Sequence, residues 1–372
     1  MSEAMTIVED TNGAHATEEQ RKALEPTRDP KTGAIQSYQI VKKQQQDGQV
    51  VSIPEQKMVV AQGPARTSAL LAPTMCLSGH GDHVYTVKFN KDGTMLASGS
   101  RDKLIFLWNT YGECENTLVL KGHSGPVLEL VWSRDSEQIY SASADKTAAI
   151  FDVENGERVR KLRDHSSYVN AIACTRRGEP LLVTGSDDCT AMIWDVRVKG
   201  AQHVFQTDYQ ITAVAFSDDN SQIFTGSIDN EIKCWDIRSD KVLYTLEGHQ
   251  DTITGIRLSP NGNFLASNSM DNSLRLWDVR PYATGKRLLN AYDACKHDFQ
   301  MQLLKVAWNV DGTRIAGGSA DAFVYITDIA SRRVLYKLPG HSGSVNEVDF
   351  HPKEPIIASC SNDKKIFLGE IS

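Results

Sequence analysis

The sequence predicts an all-β chain folded as a seven-bladed β-propeller closed by an N-terminal strand and preceded by a disordered N-terminal tail. Three observations carry the prediction. An acidic turn recurs at Asp102, Asp145, Asp188, Asp229, Asp271, Asp321 and Asp363, at intervals of 43, 43, 41, 42, 50 and 42 residues. Around each turn lie short segments of alternating polarity, rich in β-branched and aromatic residues. No stretch within 74–372 keeps a helical apolar period over three turns.

In the first unit "HVYTVKF", "TMLASGS" and "KLIFLWN" read as strands. "NKDG", "SRD" and "TYGE" read as turns, with Gly, Asp and Asn where the backbone needs φ > 0 or side-chain bonds to the main chain. The long fifth interval carries its surplus within 281–300, "PYATGKRLLNAYDACKHDFQ", a surface insertion. The seventh unit has three strands, the last within "KKIFLGEIS", whereas "PTMCLSGH" at 73–80 belongs to no unit. Residues near 74–78 are therefore expected to complete the seventh sheet and close the ring, which protects edges that would otherwise invite aggregation. The expected division is a tail at 1–70 and a propeller at 71–372. The tail holds 9 acids, 8 Lys/Arg and few large aromatics, too little apolar surface to offset its ordering entropy. Within it "YQIVKKQQQDGQVVSI" suits a hairpin through Asp47-Gly48.

Composition excludes several classes. Apolar residues make up 40% of the 372, enough for a large core, but no apolar run approaches the roughly 20 residues of a membrane span. "MSEAMTIVED" has neither a basic start nor an apolar stretch, so no signal peptide and a soluble intracellular protein are expected. The seven cysteines never fall as C-x-x-C, which argues for free thiols and against a zinc site. A net charge of −7 opposes a main task of gripping nucleic-acid phosphate. No metal, cofactor, membrane partner or small-molecule substrate is expected.

Twenty-two or twenty-three residues before the turn aspartate stands a histidine in five units, His80, His123, His165, His249 and His341, four of them as Gly-His. Six residues after it come Trp108, Phe151, Trp194, Trp235, Trp277, Thr327 and Gly369. His80, Ser98 and Asp102 are the residue types of a hydrolase triad, and "HGDH" sets His80 and His83 as a possible metal pair. An active site is needed once, however, whereas this constellation recurs, so a structural role is the better reading.

The Gly-His and Trp-Asp pairs resemble the WD-repeat family. That resemblance implies a buried Asp, His, Ser/Thr and Trp relay pinning each blade. Three relays are complete: Asp102–His80–Ser98–Trp108, Asp188–His165–Thr184–Trp194 and Asp271–His249–Ser267–Trp277. The second unit ends in Phe151, the fourth lacks the histidine, the sixth has Gly317 and Thr327, and the seventh has Gly369 in the Trp place. The resemblance also implies partner contacts on the face carrying the turn aspartates. The positions concerned are Arg101, Asp187, Ile228, Met270 and Asn362 before the aspartates, and His83, Tyr85, Tyr168, Asn170, Thr252 and Asn346 after the histidines. Tyr85, Arg101, Tyr168 and Met270 lead, since such residues are enriched in interface cores.

From about residue 66 onward, "LWNTYGECENTLVLKGHSG", "WDVRPYA" and the stretch 331–372 look like the WD-repeat subunits of the spliceosomal U5 ribonucleoprotein (snRNP). This implies a nuclear, non-enzymatic scaffold in pre-mRNA splicing, bound to the large U5 scaffold protein and other spliceosomal proteins. U5 snRNA is expected in the same particle, held indirectly. The alternative is a substrate receptor of a cullin–RING ubiquitin ligase, docking its adaptor through Trp-Asp-x-Arg at Arg197, Arg238 and Arg280. Against it, those arginines end a third strand and can pair with nearby acids.

Overall fold

Alternating side chains make each strand two-faced, and stacking sheets around an axis buries both faces at once. The computed structural model describes residues 67–283 and 285–371, together with the backbone of Leu24–Arg28 and Ile35–Ile40. Among the described residues there is no helix, and seven four-stranded antiparallel sheets form the blades. Blade one runs Val84–Phe89, Met95–Ser100, Leu104–Asn109 and Asn116–Lys121, from the axis outward. Blades two to six repeat this order, with inner strands Val127–Trp132, Val169–Cys174, Ile211–Phe216, Ile253–Leu258 and Val306–Trp308. Each inner strand packs on the next, and the seventh, Val345–Phe350, returns to the first, so the ring is closed.

The closing strand is Thr74–Ser78, paired antiparallel with Lys365–Glu370 in the register Thr74↔Gly369 to Ser78↔Lys365. The chain is held further upstream too. Glu354 accepts the Ala69 amide at 2.8 Å, Glu370 accepts the Ser68 amide at 2.9 Å, and Leu70 is buried in the core between blades seven and one. The expected boundary at 70 and 71 thus falls inside the clasp. Most of the tail, including the Asp47-Gly48 hairpin, lies outside the described residues; within it Leu24–Arg28 pairs antiparallel with Ile35–Ile40.

Seven apolar clusters fill the seven gaps between blades. Between blades four and five, for instance, Phe224, Cys234 and Leu246 meet Ile253, Leu265 and Trp277. Fully burying a side chain of this size stabilises by about 1.5–3 kcal/mol. Approach is close enough to demand glycine: a Cβ on Gly185 would stand 2.6 Å from Ile211 Cγ2 of the next blade.

The inner strands of six blades carry a bulge at their second residue, the exception being blade six. A bulge re-aims a side chain, and in four blades it reaches the next blade's backbone. Asn170 donates to Ile211 O, Thr212 to Ile253 O, Thr254 to Leu304 O and Asn346 to Val84 O.

Around the axis the inner strands carry a buried charge network that sequence reasoning missed. Lys88 lies 2.7 Å from Glu347 and 3.4 Å from Asp349. Arg257 bridges Glu347 and Glu129 at 3.3 and 3.2 Å, and Lys305 reaches Glu129 at 3.4 Å. Glu129 also accepts the Ile172 amide, and Lys305 donates to Thr212 O, so all seven blades are joined. Burial opposes ionisation of Glu347, but Lys88 and Arg257 outweigh it and hold the carboxyl below its ordinary range.

Candidate functional site: the turn-aspartate face

The turn between second and third strands is built around the aspartate. Asp102 Oδ1 accepts the Leu104 amide at 3.0 Å, Asp271 Oδ1 accepts Ser273 N at 2.8 Å, and the other five aspartates do the same. The residue after each aspartate is left-handed, from Lys103 at φ 72 to Lys364 at φ 69. This side-chain-to-backbone bonding is why an acid recurs there.

Behind the turn the three expected relays have consistent geometry. In blade one Trp108 Nε1 donates to Ser98 Oγ at 2.9 Å, Ser98 pairs with His80 Nε2 at 2.8 Å, and His80 Nδ1 faces Asp102 at 2.9 Å. Blade three repeats it with Trp194, Thr184, His165 and Asp188 at 2.8, 2.7 and 2.8 Å. Blade five uses Trp277, Ser267, His249 and Asp271 at 2.8, 2.7 and 3.0 Å. The chain of donors assigns a neutral imidazole with its proton on Nδ1. Burial pulls His165 and His249 below the ordinary histidine pKa, only partly countered by Asp188 and Asp271.

Incomplete blades keep the carboxylate partnered by other means. Blades two and seven retain His123 on Ser141 and Asp145, and His341 on Ser359 and Asp363. Blade four supplies Lys233 Nζ to Asp229 at 2.9 Å, and blade six supplies the Tyr325 hydroxyl to Asp321 at 2.7 Å. Both substitutes sit four residues after the aspartate. A donor at that place in the two units without the histidine was a readable signal. The triad types are sealed: Ser98, Thr184 and Ser267 have no exposed surface, and their hydroxyls are committed within the sheet.

The face itself is laced by backbone bonds from each turn to the loop entering its blade. Arg101 N donates to His83 O, Asp187 N to Tyr168 O, Ile228 N to Gln210 O, Met270 N to Thr252 O and Asn362 N to Ser344 O. Arg101, Tyr168 and Ile228 are exposed there, and Tyr85, Asp187, Met270 and Asn362 are half-buried. His83, half-buried, donates Nδ1–H to Asn362 O at 2.6 Å. Asn170 and Asn346 are corrections: both are buried, Asn346 to 2% exposure, and the bulge turns them onto neighbouring blades. They are struts between blades, not contact residues. The insertion divides between opposite faces. Residues 279–287 link the third and outer strands of blade five, whereas 293–305 enter blade six on the aspartate face and present Phe299, 91% exposed, and Met301, 70% exposed.

The Trp-Asp-x-Arg arginines end third strands on the opposite face. Arg197 pairs with Asp195 and Glu179, and Arg280 with Asp278. The Arg238 guanidinium has no such pair among the described residues.

This geometry defines a WD-repeat propeller. The family model for the WD domain, G-beta repeat, matches residues 71–109, 112–152, 156–195, 201–236, 240–278 and 332–368, passing over the first three strands of blade six, and the chain belongs to that family. More particularly, it is similar to the U5 small nuclear ribonucleoprotein 40 kDa protein of Dictyostelium discoideum, 52% identical over 89% of this chain and 93% of that protein. The protein of that name from Homo sapiens is 54% identical over 83% of this chain and 87% of its own length. The pre-mRNA-splicing factor cwf17 of Schizosaccharomyces pombe is 41% identical over 82% of this chain and 90% of its own.

Proposed function

We propose that this chain is a non-enzymatic scaffold subunit of the U5 snRNP that acts in pre-mRNA splicing by holding protein partners on its faces. The observation that carries the reading is the similarity, almost end to end, to proteins named for that particle and to a splicing factor. The sealed relays support it, since the triad-like hydroxyls of Ser98, Thr184 and Ser267 are buried and bonded in three blades at once. The partners are the large U5 scaffold protein and neighbouring spliceosomal proteins, with U5 snRNA in the same nuclear particle. Arg101, Tyr168, Ile228 and Met270 are proposed contacts on the aspartate face, with His83, Tyr85, Asp187 and Asn362 around them.

Affinity purification of the tagged full chain from nuclear extract tests this. U5 snRNA and the large U5 proteins are the expected yield. A cullin–RING adaptor in their place, lost on Arg238→Ala, would establish the ligase alternative instead. That outcome runs against the intrablade pairing of Arg197 and Arg280.

A further inference from the structure

The aspartate face is divided electrically. Outside the relays, blades seven, one and two present Arg101, Lys103, Lys146 and Lys364, with Asp82 the carboxylate beside Arg101. Blades four to six present Asp208, Glu231, Asp251 and Asp298, none of which makes an ion pair among the described residues. Lys296 and Lys337 are the exposed cations among them, the second facing Asp321 at 3.7 Å. Most of the exposed apolar side chains fall on the acidic side: Phe299 and Met301 stand on the long loop into blade six and Tyr209 and Ile228 on blade four, with Tyr168 next to them on blade three.

Large side chains as open as Phe299 are unusual on a loop that has its own packing. The loop is tied down: His297 N donates to Asn272 Oδ1 at 2.6 Å, and Leu304 is buried. Beneath it a cavity of about 10 Å³ is lined by His297, Gln302 and Ser344. Both His297 ring nitrogens, Gln302 Oε1 and Ser344 Oγ are buried there without a hydrogen-bond partner among the described residues. Apolar anchors, unpaired carboxylates and unsatisfied polar groups thus converge on one sector, which is the anatomy of an interface.

We propose that the sector of the aspartate face over blades four to six docks a lysine- or arginine-rich protein segment that also carries apolar side chains, seated on Phe299 and Met301. The proposal rests on the scaffold reading and specifies the chemistry of one partner. Four unpaired carboxylates repel phosphate, so the occupant is protein and not RNA. They attract a basic segment over about a Debye length and fix its direction, while the aromatic and thioether groups supply the contact area.

The test places a photo-crosslinker in the tagged full chain as Met301→p-benzoylphenylalanine, irradiates the purified particle and sequences the adducts. The expected adducts are protein peptides with an excess of Lys and Arg. Adding Phe299→Ala, Asp251→Lys and Asp298→Lys should lower their yield about tenfold, with an unchanged melting temperature. If that set lowers the melting temperature, Asp208→Lys with Glu231→Lys serves in its place. Lys103→Glu with Lys146→Glu on the opposite sector should leave the yield unchanged. An RNA adduct, an acidic peptide, a second copy of this chain, or no adduct overturns the proposal. Recovery of U5 snRNA in the same preparation separates the two readings: its presence without the basic adduct removes the docking sector alone, and its absence removes the scaffold reading.

Discussion

Blades five and six are neighbours of similar size that hold their turn aspartates by different chemistry. Asp271 of blade five receives the His249 imidazole, backed by Ser267 and Trp277. Asp321 of blade six receives the Tyr325 hydroxyl, with Lys337 at 3.7 Å, and Gly317 and Thr327 stand where blade five has Ser267 and Trp277. Cys295, fully buried with its thiol pushed up to about 12 by desolvation, packs against Gly317 so closely that an added Cβ would strike its sulfur. Blade four takes a third route through Lys233. What the fold requires is a partner for a buried carboxylate, and the residue that provides it is exchangeable. A relay adds a second benefit, because it also fixes an indole and an imidazole deep between strands.

The comparison is broken most severely by opening the ring, which removes the frame both blades share. Deletion of 67–78 should abolish monomeric elution and cooperative unfolding, since it strips the outer strand from blade seven and exposes Lys365–Glu370 as an edge. A truncated chain that elutes as a monomer with an unchanged melting transition would refute the closure. Next in size is the axial network. Glu347→Ala leaves Lys88 and Arg257 short of a buried counter-charge, a loss of about 3–5 kcal/mol in denaturant unfolding. It should weaken blades one and five, whose Lys88 and Arg257 lose a partner, and an effect confined to blade seven would show that the axis is not shared.

The sharper test lies within the pair. Ser267→Ala leaves the His249 Nε2 and Trp277 Nε1 groups unpartnered, at about 1–3 kcal/mol for each buried group. Tyr325→Phe removes one bond to a carboxylate that keeps the Phe323 amide and Lys337, so about 1–2 kcal/mol is expected. Equal losses from the two substitutions would mean that the relay does nothing beyond holding its aspartate.

The repeat, the closure and the relay partners were legible because each is a matter of spacing along one strand or turn. Asp102 to Trp108 spans a single hairpin, and its consequences are local. Asn170 and Asn346 were misread because a bulge inverts the side chain, and a bulge leaves no mark on a strand's composition. The axial network was illegible for another reason. Lys88 and Glu347 are 259 residues apart in sequence, and only the ring brings them to 2.7 Å. Its faint signal was the charged residues Lys88, Glu129, Arg257 and Glu347 inside inner strands that are otherwise mostly apolar. Phe299 lay inside a segment already read as an insertion, but nothing in its spacing said which face it would join.

Acid should separate the two blades by the smallest of these effects. Burial holds His165, His249 and His341 below the ordinary histidine pKa in the folded chain. Each therefore binds fewer protons folded than unfolded, so its stabilisation is complete above about 6.5 and declines as pH falls toward the folded value. The relay aspartates are depressed as well, burial being outweighed by their hydrogen bonds, and they add a second decline beginning near the ordinary carboxylate value of about 4. Both act in one direction and outnumber Asp349, whose carboxyl burial raises, so the melting temperature should fall from pH 7 downward. The turn at Asp321 has no histidine in its relay, although His297, lowered to about 4 by burial, sits in the loop before it and faces Asp271 and Asp251. Hydrogen exchange at the two turns between pH 6.5 and 5, corrected for intrinsic rates, should show the larger loss of protection around Asp271, which both His249 and His297 border. A smaller loss is expected around Asp321, which His297 alone affects through its loop. Equal loss at both would mean that acid opens the propeller as one unit, and that the exchange of histidine for tyrosine gives blade six no resistance of its own.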